Sequence, residues 1–342
     1  MTTTTGRPSA PWAVSPGGRP GPALAACLRA AIAAPSLHNT QPWRFRLGGD
    51  PCGAAIDVLA DPHRHLPVVD PVRRELTISI GAAVLNLRVA MLARGRTPVL
   101  RLLPDPAEPN LLARVTPGGH AAESDTVRLL DRAIPRRRTN RRPFLDLPVP
   151  PEVLTDLAAA AEVEGSRLAF LDPALRDGTL SLVRTAEHRR RNDPRYWAEL
   201  ARWTREDPDR RDGVPRAAFG PWPVLESLPL RDFGLVQPAR RRRVARFEHE
   251  PVVAVLYTPG DGPMEWLRAG ESLERVLLTA TVQGVASTLM TQPMELPDLR
   301  ELLTDTARGH APQAIIRFGY GPPSPPTPRR WLGEVLVPAG RQ

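Results

Sequence analysis

Lysine does not occur in this 342-residue chain: all 46 basic residues are arginine, set against 37 acidic ones for a formal charge of +9. Together with 41 prolines, far above the ordinary usage of about 5%, this reads as compositional bias of the genome. Charge therefore does not choose between a nucleic acid and a phosphate-bearing small molecule, since guanidinium forks suit both. Cysteine is nearly as scarce. Cys27 and Cys52 cannot build a disulfide framework and stand in no metal-ligand spacing. No apolar run approaches the roughly 20 residues of a membrane span. The first 22 residues lack the basic start and continuous apolar core of a secretion signal, and are expected to form a flexible tail. Neither a Gly-x-Gly-x-x-Gly fingerprint nor a groove-reading motif of a nucleic-acid binder occurs. These absences point to a cytoplasmic protein without membrane or nucleic-acid partners. Its hydrophobic content of 42% allows a substantial core.

What is present appears twice. A small-residue helix at 23–34 leads to strands at 43–47 and 54–60, split by the turn signals Gly48, Gly49, Asp50 and Pro51. A long helix follows at 73–94, its apolar residues at helical spacing and Gly95 at its end. Strands are expected at 98–103 and 110–115. The second pass runs through a helix at 151–161, strands at 166–171 and 251–257, a helix at 264–283 closed by Gly284, and strands at 285–290 and 313–318. The expected architecture is α+β, with two homologous halves fused into a pseudo-dimer within one chain, at 23–120 and 121–342. Residues 204–250 break the echo. This insertion is rich in Arg, Pro and Asp yet carries Phe219, Trp222, Leu225, Leu228, Phe233 and Phe247, so it is expected to pack as a lid or binding loop.

Two motifs carry chemistry. The stretch PSLHNTQPW, residues 35–43, spends more polar side chains than an ordinary turn needs. RRTNRRPF, residues 137–144, follows a helix and precedes a proline-bounded loop. Either alone has a bland reading, as a bonded loop and as a solvated charge run. In this order, with the glycine-ended helix and the tail PRRW at 328–331, the chain resembles the flavin-dependent nitroreductase family. It is most similar to the fused, lid-bearing, Acg-like subgroup found in actinobacteria. The family pattern Pro-Ser-x-x-Asn-x-Gln-Pro-Trp is met by Pro35, Ser36, Asn39, Gln41, Pro42 and Trp43. The pattern Arg-x-Ser-x-Arg/Lys-x-Phe is met by Arg137, Thr139 (for Ser) and Arg141, with Phe144 displaced by one position.

The resemblance implies FMN as cofactor and NAD(P)H as transient co-substrate, with hydride passing through flavin N5 to a small electron-poor acceptor such as a nitroaromatic or quinone. It assigns Arg137, Arg138, Arg329 and Arg330 to the flavin phosphate and Arg141 to the ring edge that becomes negative on reduction. Pro35, Ser36, Leu37 and Asn39 would hold the ribityl chain or ring, and Leu289, Thr291 and Gln292 would line the ring. Because each half lacks the other's motif, one flavin pocket per chain is expected, and further pairing into a homodimer stays open. The alternative function is an FMN-binding storage protein whose lid occludes the site. His38 reads first as a loop histidine bonded to backbone and second as a proton donor. His63 and His65 are not expected to hold a metal, since no third ligand is evident, and they stand as possible neighbours of the flavin edge. Arg240–Arg243 read as a solvated loop.

Overall fold

The computed structural model describes residues 11–15, 18–50, 53–224, 228–235 and 243–338. The expectations placed on residues 1–10, Cys52, Leu225 and Arg240–Arg242 lie outside the described residues. The described part of the expected tail is packed: Trp12 and Val14 lie against the core, and Gly21 N–H donates to Ala13 at 2.8 Å.

Helix α1 (Pro22–Ile32) opens on Pro22, whose fixed φ suits the first helical position. Strands β1 (Trp43–Asp50) and β2 (Gly53–Ala60) form a hairpin longer than the turn signals suggest, with Asp50 opposite Gly53. Helix α2 (Arg74–Leu92) follows, then β3 (Arg96–Leu102), β4 (Leu111–His120) and α3 (Asp125–Ala133). The second part contains α4 (Pro151–Glu162), β5 (Arg167–Phe170), α5 (Pro173–Arg191), α6 (Pro194–Thr204), β6 (Trp222–Pro223), β7 (Val244–Ala245) and β8 (Val252–Thr258). It closes with α7 (Pro263–Val282), β9 (Ala286–Leu289), α8 (Pro297–Glu301), β10 (Ala311–Gly319), α9 (Leu332–Val335) and β11 (Leu336–Val337). Helices α5 and α6 were not anticipated.

The chain has the α+β architecture expected of it. One sheet has the order β11-β1-β2-β4-β3 and a second β5-β8-β10-β9. Helices α2 and α7 pack against each other between them. Helix α2 is long and apolar enough to cross a membrane, contrary to the sequence expectation, but most of it is buried inside the protein. It needs no polar face because α1, α7 and the first sheet surround it. Asp70 caps its start, accepting from Glu75 N–H at 3.0 Å and Leu76 N–H at 2.9 Å.

The C-terminal segment departs from a simple division at residue 120. After β10 a proline-rich stretch runs extended to Trp331, and β11 then adds to the first sheet, parallel to β1. The tail motif PRRW is thereby laid across the start of the chain.

Candidate functional site

The loop PSLHNTQPW is held in an unusual backbone conformation. His38, Asn39 and Gln41 have φ of 51°, 54° and 51°, left-handed values that cost non-glycine residues of order 1 kcal/mol or more each. The polar side chains maintain it. Ser36 Oγ accepts from Gln41 N–H at 2.9 Å. The Asn39 amide donates to Gly213 at 2.8 Å and to Pro328 at 3.1 Å, and the Gln41 amide donates to Arg211 at 2.8 Å. Gln41 Oε1 accepts from Arg330 N–H at 2.8 Å. These amides therefore staple three distant segments: the loop itself, the insertion and the C-terminal tail.

The arginine motif lies along the edge of β9. Thr139 pairs with Ser287 as a parallel bridge, and Asn140 N–H donates to the Ser287 carbonyl at 2.8 Å. Arg137, Arg138, Thr139 and Arg141 all line one cavity, while the Asn140 amide turns away and donates to the Pro322 carbonyl at 2.8 Å. Beneath, Arg317 is fully buried, paired with Glu248 and stacked 3.7 Å from the Phe144 ring centroid. It also donates to the Arg142 carbonyl, fixing the turn that ends the motif.

The two motifs meet in this cavity, about 1120 Å³ of empty space counted out to its mouth. At one end Arg137, Arg138 and Arg329 converge. Arg329 donates to Asn39 Oδ1 at 3.0 Å and to the Ala33 and Ala34 carbonyls at 3.2 Å each. Its Nε is buried without a hydrogen-bond partner among the described residues. Burial, reinforced by Arg137 and Arg138, pushes the Arg329 guanidinium down to about 9. The nearby carboxylate is Glu274, 3.3 Å from Arg137. It is fully buried and raised to about 7 by that burial, against the pull of Arg137. Arg137 and Arg329 thus act on one carboxylate, and Arg138 beside Arg137 adds a third cation without one. At the other end Arg141 is half-buried, and desolvation and the charge of Arg231 push its guanidinium down to about 10. Its side chain donates to the Ala218 carbonyl at 3.0 Å and lies 4.6 Å over the Phe233 ring. The rest of the lining is mixed, with Ile78, Ala82, Leu273, Leu289 and Ala314 beside the polar Ser79, Thr288 and Gln313.

The insertion adds Val214, Leu230, Arg231 and Phe233 to the lining. Val214, Phe219 and Phe233 share a small core with Tyr196, Leu200 and Trp203 of α6 and with Leu66 and Val69. Arg64 ties the insertion to the first part of the chain, donating to Asp212 at 2.6 Å. Phe219 belongs to this cluster and stacks on Phe233. Trp222 instead borders a neighbouring cavity beyond Leu230 and Arg231.

Pro35, Ser36, Leu37, Asn39, Arg137, Arg138, Thr139, Arg141, Leu289, Thr291 and Arg329 all line the main cavity. Gln292 and Arg330 do not. Gln292 starts a short 3₁₀ turn (Gln292–Glu295) and is buried toward Glu187. Arg330 follows Arg329 in extended chain and so points the other way, to the Gln41 and Glu334 carbonyls. His63 and His65 also lie outside the lining. His63 sits exposed on a turn, and His65 Nε2 lies 2.6 Å from the Asp70 carbonyl. The backbone-bonded reading of His38 is not met either, because neither ring nitrogen has a partner among the described residues. Residues the sequence did not single out include Arg231, Thr288 and Gln313. Nothing in their local spacing marks them, since tertiary packing alone brings them here.

Comparison with known proteins agrees with this frame. The Nitroreductase family profile matches residues 134–320. "Putative NAD(P)H nitroreductase Rv3131" of Mycobacterium tuberculosis H37Rv is 33% identical over 318 residues, covering 90% of this chain and 89% of its own length. The similarly named acg protein of that strain is 32% identical over 322 residues, covering 92% and 95%. The chain belongs to the nitroreductase family. Among solved structures, the FMN-dependent nitroreductase NfnB from Mycobacterium smegmatis, in complex with NADPH, gives a TM-score of 0.37. It is 19% identical, with 61% of this chain and 97% of that chain covered, an overlap too slight to bear on the site.

Proposed function

We propose that this protein is an FMN-dependent oxidoreductase that takes hydride from NAD(P)H and passes it to a small electron-poor acceptor such as a nitroaromatic or quinone. The observation carrying this reading is the cluster of Arg137, Arg138 and Arg329, mutually repelling inside one cavity. A phosphate monoester carries about −1.5 to −2 charges at neutral pH and meets that need better than a neutral ligand. The unpartnered Arg329 Nε fits the same group. The apolar side chains of the lining, set among a few polar ones, suit a flat ring system with polar edges. When bound, FMN supplies the hydride chemistry, and the protein supplies binding, orientation and electrostatics. Ser36 and Asn39 would hold the ribityl region, Leu289 and Thr291 the ring, and Arg141 the edge that gains negative charge. The names of the mycobacterial relatives support NAD(P)H as the donor.

Duplication of an ancestral half accounts for the architecture. Strand orders β1-β2-β4-β3 and β5-β8-β10-β9 correspond. Gly81 and Gly270 meet where the two long helices pack, and Gly95 and Gly284 end those helices with φ of +75° and +72°. Both pairs are 189 positions apart (81 to 270, 95 to 284). One FMN per chain follows, since the loop motif and the arginine motif each occur once.

The insertion's share of the lining, Val214, Leu230 and Phe233, favours a second reading, storage of FMN behind a closed lid. Titrating the chain with FMN and riboflavin, then adding NADPH anaerobically, separates the possibilities. Tight FMN, weak riboflavin, and bleaching by NADPH with reoxidation by a nitroaromatic support the enzyme. Bleaching by dithionite but not NADPH supports storage. Equal affinity for riboflavin and FMN overturns the phosphate cradle.

A further inference from the structure

His38 is 3% exposed, and both its ring nitrogens are buried without a hydrogen-bond partner among the described residues. Leaving a buried polar group unsatisfied costs about 1–3 kcal/mol, and this side chain already sits on left-handed backbone. An apolar residue would fill the position without that penalty, so the imidazole needs a partner that the described residues do not supply.

The surroundings specify the partner. His38 lines the main cavity together with Arg141 and Arg231. Its ring meets Phe233 edge-on, with centroids 5.5 Å apart, and the Arg141 guanidinium lies over the same ring. His38 and Arg141 are thus set by one aromatic plate. Burial first, then the charges of Arg231, Arg141 and Arg190, hold the imidazole well below its usual value. The carboxylates in the vicinity are engaged elsewhere: Glu75 pairs with Arg74, and Glu295 with Arg231. The ring is therefore neutral, with one N–H to donate, and the local potential is positive. The group it suits is an oxygen carrying negative charge or acquiring it.

We propose that His38 and Arg141 jointly hold an oxygen that becomes negative on reduction, with His38 as an uncharged hydrogen-bond donor. The assignment rests on the FMN reading above. Such an oxygen has two sources, a ring carbonyl of the flavin or the carbonyl or nitro oxygen of the acceptor. The protein contributes the same chemistry to either: a fixed donor and a fixed cation that need no rearrangement as charge develops.

The test uses the FMN-loaded full-length chain with His38→Phe and His38→Gln. One hydrogen bond corresponds to about a tenfold effect, or about 30 mV for a two-electron couple. If the oxygen is the flavin's, His38→Phe lowers the midpoint potential by about that amount and shifts the visible spectrum. If it is the acceptor's, the potential stays put and kcat/KM for menadione falls about tenfold. His38→Gln, which retains a donor, recovers much of either loss. A potential, spectrum and menadione kcat/KM all within twofold-equivalent of wild type overturn the proposal. In the wild type, ¹⁵N-histidine spectra give an independent check that does not depend on the variants folding. The His38 ring resonances must move on addition of FMN or menadione, and their indifference to both also overturns it. A wild-type chain that binds no FMN strikes the cofactor reading, whereas an FMN-loaded chain indifferent to His38→Phe strikes only the role of His38.

Discussion

Arg329 donates to Asn39 Oδ1 at 3.0 Å across 290 positions of sequence. The contact ties the C-terminal tail to the first polar loop and aims one arginine of an adjacent pair into the cavity. Its neighbour Arg330 is aimed at loop and tail carbonyls instead. Arg329→Ala is expected to weaken FMN binding roughly 10- to 100-fold, the usual worth of a charge-assisted hydrogen bond, and to leave riboflavin affinity nearly unchanged. Arg330→Ala should stay close to wild type for both. Fluorescence titration of the two variants checks the contrast, and equal losses would remove the distinction between in-facing and out-facing arginines.

That contrast also marks how far the sequence could be read. The elements around the site were legible because their periodicity and punctuation are strong: α2 and α7 sit where apolar spacing and Gly95 and Gly284 place them. The two motifs were legible as residue types, and their meeting in one cavity was anticipated from each half lacking the other's motif. Arg330 and Gln292 were misplaced because the facing of an extended or 3₁₀ segment depends on its exact phase, which motif spacing does not supply. Helices α5 and α6 went unread since their buried residues, such as Leu180, Val183 and Tyr196, are interspersed with arginines. His38 could not be distinguished from a bonded loop histidine until its surroundings were known.

Glu274 links the cradle to pH. Burial raises its carboxyl to about 7 in the folded chain, against about 4.3 for an unperturbed glutamate. A raised acid contributes most below its unfolded value, and that contribution is lost as pH rises through about 7. Glu274→Gln removes the ionisation. Relative to wild type, the variant should therefore gain roughly 1–3 kcal/mol between pH 4.5 and 8, whatever its offset at low pH. Glu271, also raised to about 7 by burial, acts equally in both proteins and cancels. Urea unfolding at several pH values reads the difference, and a flat difference across that window would mean that Arg137 keeps Glu274 ionised throughout.

The insertion offers a test of access. Asp212 is bonded by both Arg64 and Arg210, and Arg64 belongs to the body of the protein. Although burial alone would raise its carboxyl, those two hydrogen bonds keep it below the usual aspartate range. Asp212→Ala should cost about 1–3 kcal/mol of stability, as expected for a lost charged hydrogen bond. If movement of the insertion limits access, the variant should also be reduced by NADPH several-fold faster, measured by stopped-flow bleaching. Unchanged bleaching with lowered stability would show that the Arg64 tether holds structure without controlling entry.

The helix crossing beneath the site permits the strongest structural prediction. A Cβ on Gly81 would stand 2.1 Å from the Leu267 carbonyl oxygen, and one on Gly270 would stand 2.0 Å from that of Ile78. The obstruction is backbone on both sides, so no side-chain rotation can relieve it. Helices α2 and α7 would have to separate, and Ile78, Ala82 and Leu273, which line the cavity, would move with them. Either Gly→Ala substitution is expected to cost roughly 3 kcal/mol or more, at the upper end of overpacking effects, and to weaken FMN binding although neither glycine faces the cavity. Ala82→Gly, at the same crossing but removing a methyl rather than adding one, should cost less, about 2 kcal/mol from helix propensity and the loss of one buried methyl. Thermal unfolding of the three variants, with FMN titration of those that fold, checks the prediction. A Gly81→Ala protein as stable as wild type would mean that the two long helices are not in backbone contact.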